Sequence, residues 1–123
     1  KIETYRYTYL PKTNYSSIRL DYLVKTIIYL KEYGNVYLVR LPIHEGMMEV
    51  EEELMPDFDL KIKEAIDLSS GYLDMTPQNE LFEYTDGNHL YKESGKKVST
   101  YVGNWISKKE KARTHNRVDR PAN

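Results

Sequence analysis

A helix followed at once by an apolar strand is the feature that most constrains how this chain folds. Residues 16–33 carry apolar side chains at helical spacing, start with serines that suit an N-cap, and stop just before Gly34. Residues 36–41 then form an almost continuous β-branched and apolar run that ends at Pro42. Such a run is typical of a strand covered on both faces of a parallel sheet. The succession therefore predicts an α/β fold.

The N-terminal residues alternate between tyrosine and other side chains. Tyr5, Tyr7 and Tyr9 share one face of an extended segment over residues 4–10, until Pro11 stops it. This alternation predicts a short strand near a sheet edge. A face of three tyrosines in such a strand can stack on sugar rings or on another protein.

Four further elements are expected downstream. Two amphipathic helices are predicted over residues 47–54 and 58–66, and a short strand over residues 72–75. A last helix is expected to begin near Tyr91 and to bury a stripe of side chains that ends at Ile106. The order strand, helix, strand, helices, strand, loop and helix predicts right-handed crossovers and a three-layer sandwich around a parallel sheet.

The composition excludes several classes of partner and chemistry. Lys and Arg number 18 against 19 Asp and Glu, so the net charge of -1 gives no electrostatic reason to expect nucleic acid or an anionic membrane. No apolar run approaches the ~20 residues that a membrane span needs. The absence of cysteine excludes a thiol nucleophile, a cysteine-ligated zinc and a disulfide framework, and it leaves the compartment open.

The C-terminal segment, residues 108–123, has a different composition from the rest. Six Lys and Arg residues stand there against Glu110 and Asp119, and apolar side chains are almost absent. Such a segment cannot bury enough surface to form a core of its own. It is expected to be a solvated or swapped extension of a domain that spans residues 1–107.

Two loops are expected at the carboxyl ends of the strands, where the reactive groups of parallel sheets gather. One holds His44, and the other holds Asp86 and His89. Gly87 lets the chain turn, so the Asp86 carboxylate can reach the His89 imidazole. A carboxylate on one ring nitrogen orients the ring as a general base. The alternative is that Asp86 only caps the last helix and that His89 is an exposed polar residue.

The sequence around this pair resembles a known hydrolase superfamily. Residues 86–90, followed by Gly95 and an amphipathic helix, resemble the final block of the SGNH or GDSL hydrolases, and residues 16–41 resemble their penultimate helix and strand. The resemblance implies a flavodoxin-like sandwich and triad positions for Asp86 and His89. It also implies an ester substrate, an acyl group on a carbohydrate or lipid, with transfer either to water or to a sugar acceptor and without a cofactor.

The nucleophilic serine of that superfamily has no counterpart in this sequence. Its G-D-S-type block is absent, and Ser16 and Ser17 are interpreted as helix caps. Asn14 is a candidate for the family's oxyanion asparagine, with a simple turn residue as the alternative. Because the numbering also starts at Lys1 without a methionine, we expect the C-terminal half of a longer domain whose upstream part supplies the serine. The open strand edge would pair with that part or with a second copy.

The same residues allow two other interpretations. His44, His89 and Asp86 offer two imidazoles and a carboxylate to a metal, although no close histidine spacing supports a metal site. Without a metal, His44 and Asn88 are expected at the rim of the active-site pocket. The second interpretation is a non-catalytic carbohydrate- or protein-binding α/β module to which the N-terminal tyrosines contribute.

Overall fold

A computed structural model describes residues 1–118 as a mixed α/β protein with a two-stranded parallel sheet. Its elements in chain order are α1 (Ile2–Thr4), α2 (Ser17–Lys31), β1 (Tyr37–Arg40), α3 (Glu45–Leu54), α4 (Phe58–Lys61), α5 (Lys63–Leu68), β2 (Gly71–Asp74) and α6 (Lys92–Val118). Tighter or wider helical turns cover Tyr5–Tyr9, Leu10–Lys12 and Thr76–Leu81. The α/β class and the parallel sheet predicted from the sequence are confirmed.

The helix predicted over residues 16–33 is α2, and it begins at the serine expected to cap it. The Ser16 hydroxyl oxygen accepts a hydrogen bond from a backbone N–H in the first turn of the helix. One face of α2 is buried against α5 and β1 through Val24, Ile27, Ala65 and Leu38. A fully buried aliphatic side chain contributes about 1.5–3 kcal/mol, so this contact fixes α2 on the sheet.

The two strands pair in parallel, with Tyr37 opposite Gly71 and Arg40 opposite Asp74. The connection between them contains α3, α4 and α5, and a helical crossover is what a parallel pair needs. Helices contact both faces of β1, because Leu38 packs against the α2 and α5 cluster and the preceding residue, Tyr37, packs against Trp105 of the last helix, although the residues of both strands are only half-buried. Within residues 1–118 neither strand has a second partner strand.

The N-terminal strand predicted from alternating tyrosines is also wrong, because residues 2–12 are helical. Three alternating side chains do not separate an extended segment from a helical one when tertiary contacts decide. Those contacts are with α3, where Ile2 packs and where Arg6 forms ion pairs with Glu49 (3.3 Å) and Glu53. The tyrosines of this segment therefore do not form the extended face that the strand implied.

The last helix begins at Lys92, close to the predicted position, and continues well past the predicted end. It reaches Val118 and so includes most of the basic segment that was expected to be solvated or swapped. The remainder of that segment, residues 119–123, lies outside the described residues. In the described range no helix is both long enough and apolar enough to span a membrane.

The second half of α6 is held on the sheet by polar and aromatic contacts. Trp105 packs edge-on against Tyr37, with ring centroids 5.4 Å apart. The Glu110 carboxylate accepts hydrogen bonds from the Asn35 side chain at 2.9 Å and from the Tyr37 hydroxyl at 2.5 Å. The Arg113 guanidinium donates to the backbone carbonyl just before β2. These contacts explain why a segment with so few apolar side chains is helical.

Candidate functional site

The turn before α6 is closed on itself by hydrogen bonds. The backbone N–H of Thr85 donates to the carbonyl of His89 at 2.9 Å. One oxygen of the Asp86 carboxylate accepts from the backbone N–H groups of Asn88 (2.8 Å) and His89 (2.9 Å). Aspartate folds back onto its own turn in this way because its side chain is short enough to reach the amides two and three residues on. These hydrogen bonds therefore fix the Asp86 carboxylate within the turn.

Gly87 is needed in this turn for packing rather than for backbone freedom. Its φ does not lie in the left-handed region. A Cβ placed on Gly87 would lie 2.6 Å from Cγ of Met47 and 3.2 Å from Cγ1 of Ile2. The backbone N–H of His44 also donates to the Gly87 carbonyl at 3.3 Å. The turn can approach the start of α3 this closely only with glycine, which differs from the bending role expected from the sequence.

The structure brings together the two side chains predicted as base and orienter. Nδ1 of His89 lies 2.9 Å and 3.0 Å from the two carboxylate oxygens of Asp86. The His89 side chain is 72% exposed, whereas that of Asp86 is 20% exposed. An ionised carboxylate can only accept hydrogen bonds, so Nδ1 must carry the proton. The neutral ring then presents Nε2 as the nitrogen able to accept a proton.

A third residue, Lys1, completes the charge balance of this pair. The Lys1 ammonium lies 2.6 Å from the second Asp86 oxygen. Together with the N–H of Asn88, it holds the pKa of the Asp86 carboxyl well below its usual range. The same contact raises the pKa of Lys1. Asp86 is therefore a carboxylate throughout the physiological range, as the tautomer of His89 requires.

A cavity of about 460 Å³ opens beside Asp86. It is lined by residues 1–3, the turn, Tyr84 and His44. The His44 ring packs edge-on against Tyr84 at 5.8 Å between centroids, and its Nδ1 accepts a hydrogen bond from the Gly46 N–H at 3.0 Å. His44 thus lies at the cavity, and it also caps the N-terminus of α3. Within residues 1–118 no group of three potential ligands is arranged to hold a metal ion.

The two asparagine candidates lie elsewhere. The Asn88 side chain donates to the Tyr5 hydroxyl at 2.9 Å, which ties the turn to the N-terminal helical segment, and it does not line the cavity. Asn14 lines a separate groove of about 320 Å³ between α2 and α4, together with apolar residues such as Phe58. Neither asparagine is placed at the cavity beside Asp86.

The role of Lys1 is the part of this site that sequence reasoning missed. The lysine and Asp86 are 85 positions apart, and no motif connects them. No hydroxyl group among residues 1–118 hydrogen-bonds His89, so these residues supply an oriented base without a nucleophile. An exposed imidazole held in this way can take a proton from a hydroxyl that another segment or a ligand presents. The chain matches no protein-family model, no curated protein and no solved structure, so a function has to be argued from this geometry.

Proposed function

We propose that this chain is the C-terminal portion of an SGNH/GDSL-type serine hydrolase domain. The substrate is an ester, an acyl group on a carbohydrate or lipid. His89 is the general base, Asp86 is its orienter, and the nucleophilic serine comes from sequence upstream of residues 1–123. The observation that carries the proposal is the contact of His89 Nδ1 with both Asp86 oxygens, at 2.9 Å and 3.0 Å.

In the proposed reaction the proton moves through His89. The serine hydroxyl gives its proton to Nε2 as its oxygen attacks the ester carbonyl, and the imidazolium that forms is stabilised by the Asp86 carboxylate. The same proton then passes to the leaving alcohol oxygen, and water repeats the sequence to release the acid. This role requires an ionised carboxylate, and the low pKa of Asp86 meets that requirement, because the carboxylate keeps its charge while the ring is protonated.

The finer fold that belongs to this proposal is a three-layer, flavodoxin-like sandwich with more strands than β1 and β2. Parallel sheets of two strands rarely stand alone, because parallel strands are normally buried by helices on both faces. Each strand has one partner strand among residues 1–118, and the open edge that this leaves on each strand supports an extension of the sheet. The upstream sequence that carries the serine would supply the additional strands.

The test is labelling of the complete natural protein with a fluorophosphonate probe, which reacts with activated serines. We expect the His89→Ala variant to label at least about 1,000-fold more slowly than the wild type, a loss typical of removing a triad base. His115→Ala is the matched control, since it removes a histidine from α6, and its labelling should equal that of the wild type. A wild-type protein that does not label at all would overturn the proposal.

A second candidate is a non-catalytic protein-binding module. The exposed tyrosines of α2 favour it, because soluble proteins seldom expose several large aromatic side chains on one helix without a partner. In that case Asp86 and His89 only hold the turn before α6. Substitution of either residue would then lower the melting temperature, and no serine in the protein would react with the probe.

A further inference from the structure

The outer surface of α2 carries large apolar side chains where a surface helix is normally polar. Its inner face, with Val24 and Ile27, packs on α5 and β1. On the opposite side, at spacings of four, seven and four residues, lies a row that we call the outer stripe: Ile18, Tyr22 and Tyr29 of α2, and Tyr33 in the turn that follows the helix. Their exposed fractions are 66%, 64%, 58% and 74%. A helix with apolar residues on two opposite sides is usually buried on both of those sides.

Three side chains of the outer stripe make contacts with neighbouring side chains. The rings of Tyr29 and Tyr33 lie 5.3 Å apart between centroids, with their hydroxyl oxygens 3.4 Å apart. The ammonium of Lys25 lies 5.2 Å from the centre of the Tyr22 ring. Such contacts restrict the rotamers of the rings, which lowers the entropy that is lost when a partner docks.

An extension of the sheet cannot cover the outer stripe. New strands would pair with β1 or β2 and lie in the plane of the sheet. That plane is on the side of α2 that carries Val24 and Ile27, because Leu38 of β1 packs there. The occupant of the stripe must approach from the other side of the helix.

We propose that the outer stripe is the interface of a symmetric, antiparallel dimer in which α2 packs against α2 of a second copy. The four residues of the stripe are placed symmetrically about a point between Lys25 and Thr26. A twofold axis at this point sets Tyr22 opposite Tyr29 of the second copy, and each Ile18 opposite a Tyr33. The interface is isologous, so each of these pairs occurs twice.

The charges beside the stripe are compatible with self-association. Arg19 and Lys25 beside the stripe are matched in number by Asp21 on α2 and by Glu32, which follows the end of the helix. Lys31 leaves α2 with surplus positive charge, but its ammonium donates to the Leu68 carbonyl on the inner side of the helix. The charges beside the stripe therefore do not oppose the approach of a second copy. Tyrosine is also enriched in protein interfaces, because it combines a large apolar ring with a hydroxyl that tolerates contact with water.

The area of the stripe fits a reversible dimer. At 150–250 Å² for a whole aromatic side chain, the exposed parts of the stripe amount to roughly 500 Å² per copy. The total of roughly 1,000 Å² lies near the lower limit of specific interfaces, where complexes are weak and transient. The dimer should therefore dissociate on dilution. This inference does not depend on the proposed hydrolase activity.

The first test is analytical ultracentrifugation of the chain between about 1 μM and about 1 mM, the range in which so small an interface should titrate. We expect a monomer–dimer equilibrium in the wild type and a dissociation constant raised at least about tenfold in Tyr22→Lys and in Tyr29→Lys. Tyr101→Lys is the matched control, because Tyr101 is an exposed tyrosine of α6 outside the stripe. Unchanged circular dichroism would show that the variants are folded.

Three results would overturn the proposal. They are a wild type that stays monomeric throughout, a dimer that Tyr22→Lys leaves intact, and a monomer whose stripe instead binds phosphatidylcholine vesicles in a co-sedimentation assay. The last result would assign the stripe to a membrane surface.

A second test uses the absence of cysteine from the chain. A twofold axis between Lys25 and Thr26 brings the two copies of Thr26 close together, so Thr26→Cys should form a disulfide-linked dimer under mild oxidation. Thr100→Cys, at an exposed threonine on α6, should remain monomeric. Equal cross-linking of the two variants would mean random collision and would contradict the proposed interface even if Tyr22→Lys failed to fold.

Discussion

Asp86 and Glu110 are two carboxylates in similar electrostatic surroundings that differ in what they hold. Both accept hydrogen bonds from protein donors, and both have a pKa below the usual range. For Asp86 the main causes are Lys1 and a backbone amide, and for Glu110 they are the hydrogen bonds from Tyr37 and Asn35. The donors to Glu110 join α6 to the sheet, whereas Asp86 also holds the exposed imidazole of His89.

This difference shows which feature distinguishes a candidate catalytic carboxylate from an anchoring one. A lowered carboxyl pKa is common to an anchoring contact and to a candidate catalytic one, so it does not distinguish them. Desolvation and the bond to Glu110 raise the pKa of Tyr37, so its hydroxyl stays protonated at neutral pH and holds Glu110. The oriented imidazole of His89, by contrast, leaves Nε2 able to accept a proton. Asp86 is therefore the functional candidate of the two.

The largest expected effect is a difference in labelling rate between variants of the two carboxylates. Asp86→Asn should slow fluorophosphonate labelling of the complete protein by about 1,000-fold or more, because an amide does not enforce the Nδ1–H tautomer of His89. Glu110→Gln should change the labelling rate by less than about twofold, since its partners do not touch His89. Equal losses in the two variants would mean that the rate reports general stability, and the contrast between the carboxylates would fail.

The second prediction separates them by stability. Trp105→Ala removes the ring that packs against Tyr37 beside Glu110, so it should lower the free energy of unfolding by about 2–4 kcal/mol. Tyr101→Ala, an exposed position on the same helix, should change it by less than about 0.5 kcal/mol. Urea titrations followed by circular dichroism measure both. A small effect of Trp105→Ala would show that the second half of α6 does not depend on the sheet.

The parts of the molecule that could be predicted from sequence are those specified by local pattern. The apolar runs of α2 and β1 repeat over several residues, and Asp86 and His89 are close enough in sequence to meet within one turn. The contact of Lys1 with Asp86 is long-range and has no periodic signal. The strand predicted for the N-terminal segment is wrong for a related reason, since ion pairs and packing on α3 override a short alternation of side chains. Long-range contacts decide both cases.

The C-terminal part of α6 is a second example of structure that depends on long-range contacts. Its composition alone predicts a solvated segment, because it offers almost no apolar surface. Glu110 and Arg113 nevertheless find polar partners at the start of both strands. Hydrogen bonds between distant polar residues leave no hydropathy pattern, so sequence reading does not detect them.

The third prediction concerns acid. A carboxyl whose pKa is lower in the folded state stabilises the fold fully above its unfolded pKa, about 3.9 for Asp and 4.3 for Glu, and this stabilisation is lost as the pH falls through the folded pKa. The free energy of unfolding should therefore decrease below about pH 4 in the wild type. Asp86→Asn and Glu110→Gln should each flatten this decrease.

The double variant indicates whether the two carboxylates act independently in acid. They lie in different contacts with no shared partner, so the effects of Asp86→Asn and Glu110→Gln should add. Urea titrations of the wild type, both single variants and the double variant at several acid pH values measure this. A wild-type profile that neither single variant alters would show that other groups control acid unfolding.

The smallest expected effect compares two tyrosine hydroxyls of the paired strands. The hydroxyl of Tyr37 donates to Glu110, whereas that of Tyr72 is buried without a hydrogen-bond partner among residues 1–118. An unpaired buried polar group costs about 1–3 kcal/mol, so Tyr72→Phe should raise the free energy of unfolding by about 1 kcal/mol. Tyr37→Phe deletes the same atom but should lower it, because Glu110 loses a donor.

Alkaline pH provides an independent check on Tyr72. Burial raises the pKa of Tyr72, with a smaller contribution from Asp74. The folded state therefore holds its proton at a pH where the unfolded state has released it, and stability falls as the pH rises above about 10. Tyr72→Phe should make this fall shallower, as measured by urea titrations at alkaline pH. If Tyr72→Phe and Tyr37→Phe changed stability with the same sign, the hydrogen bonding of the two hydroxyls would not be what distinguishes the two strands.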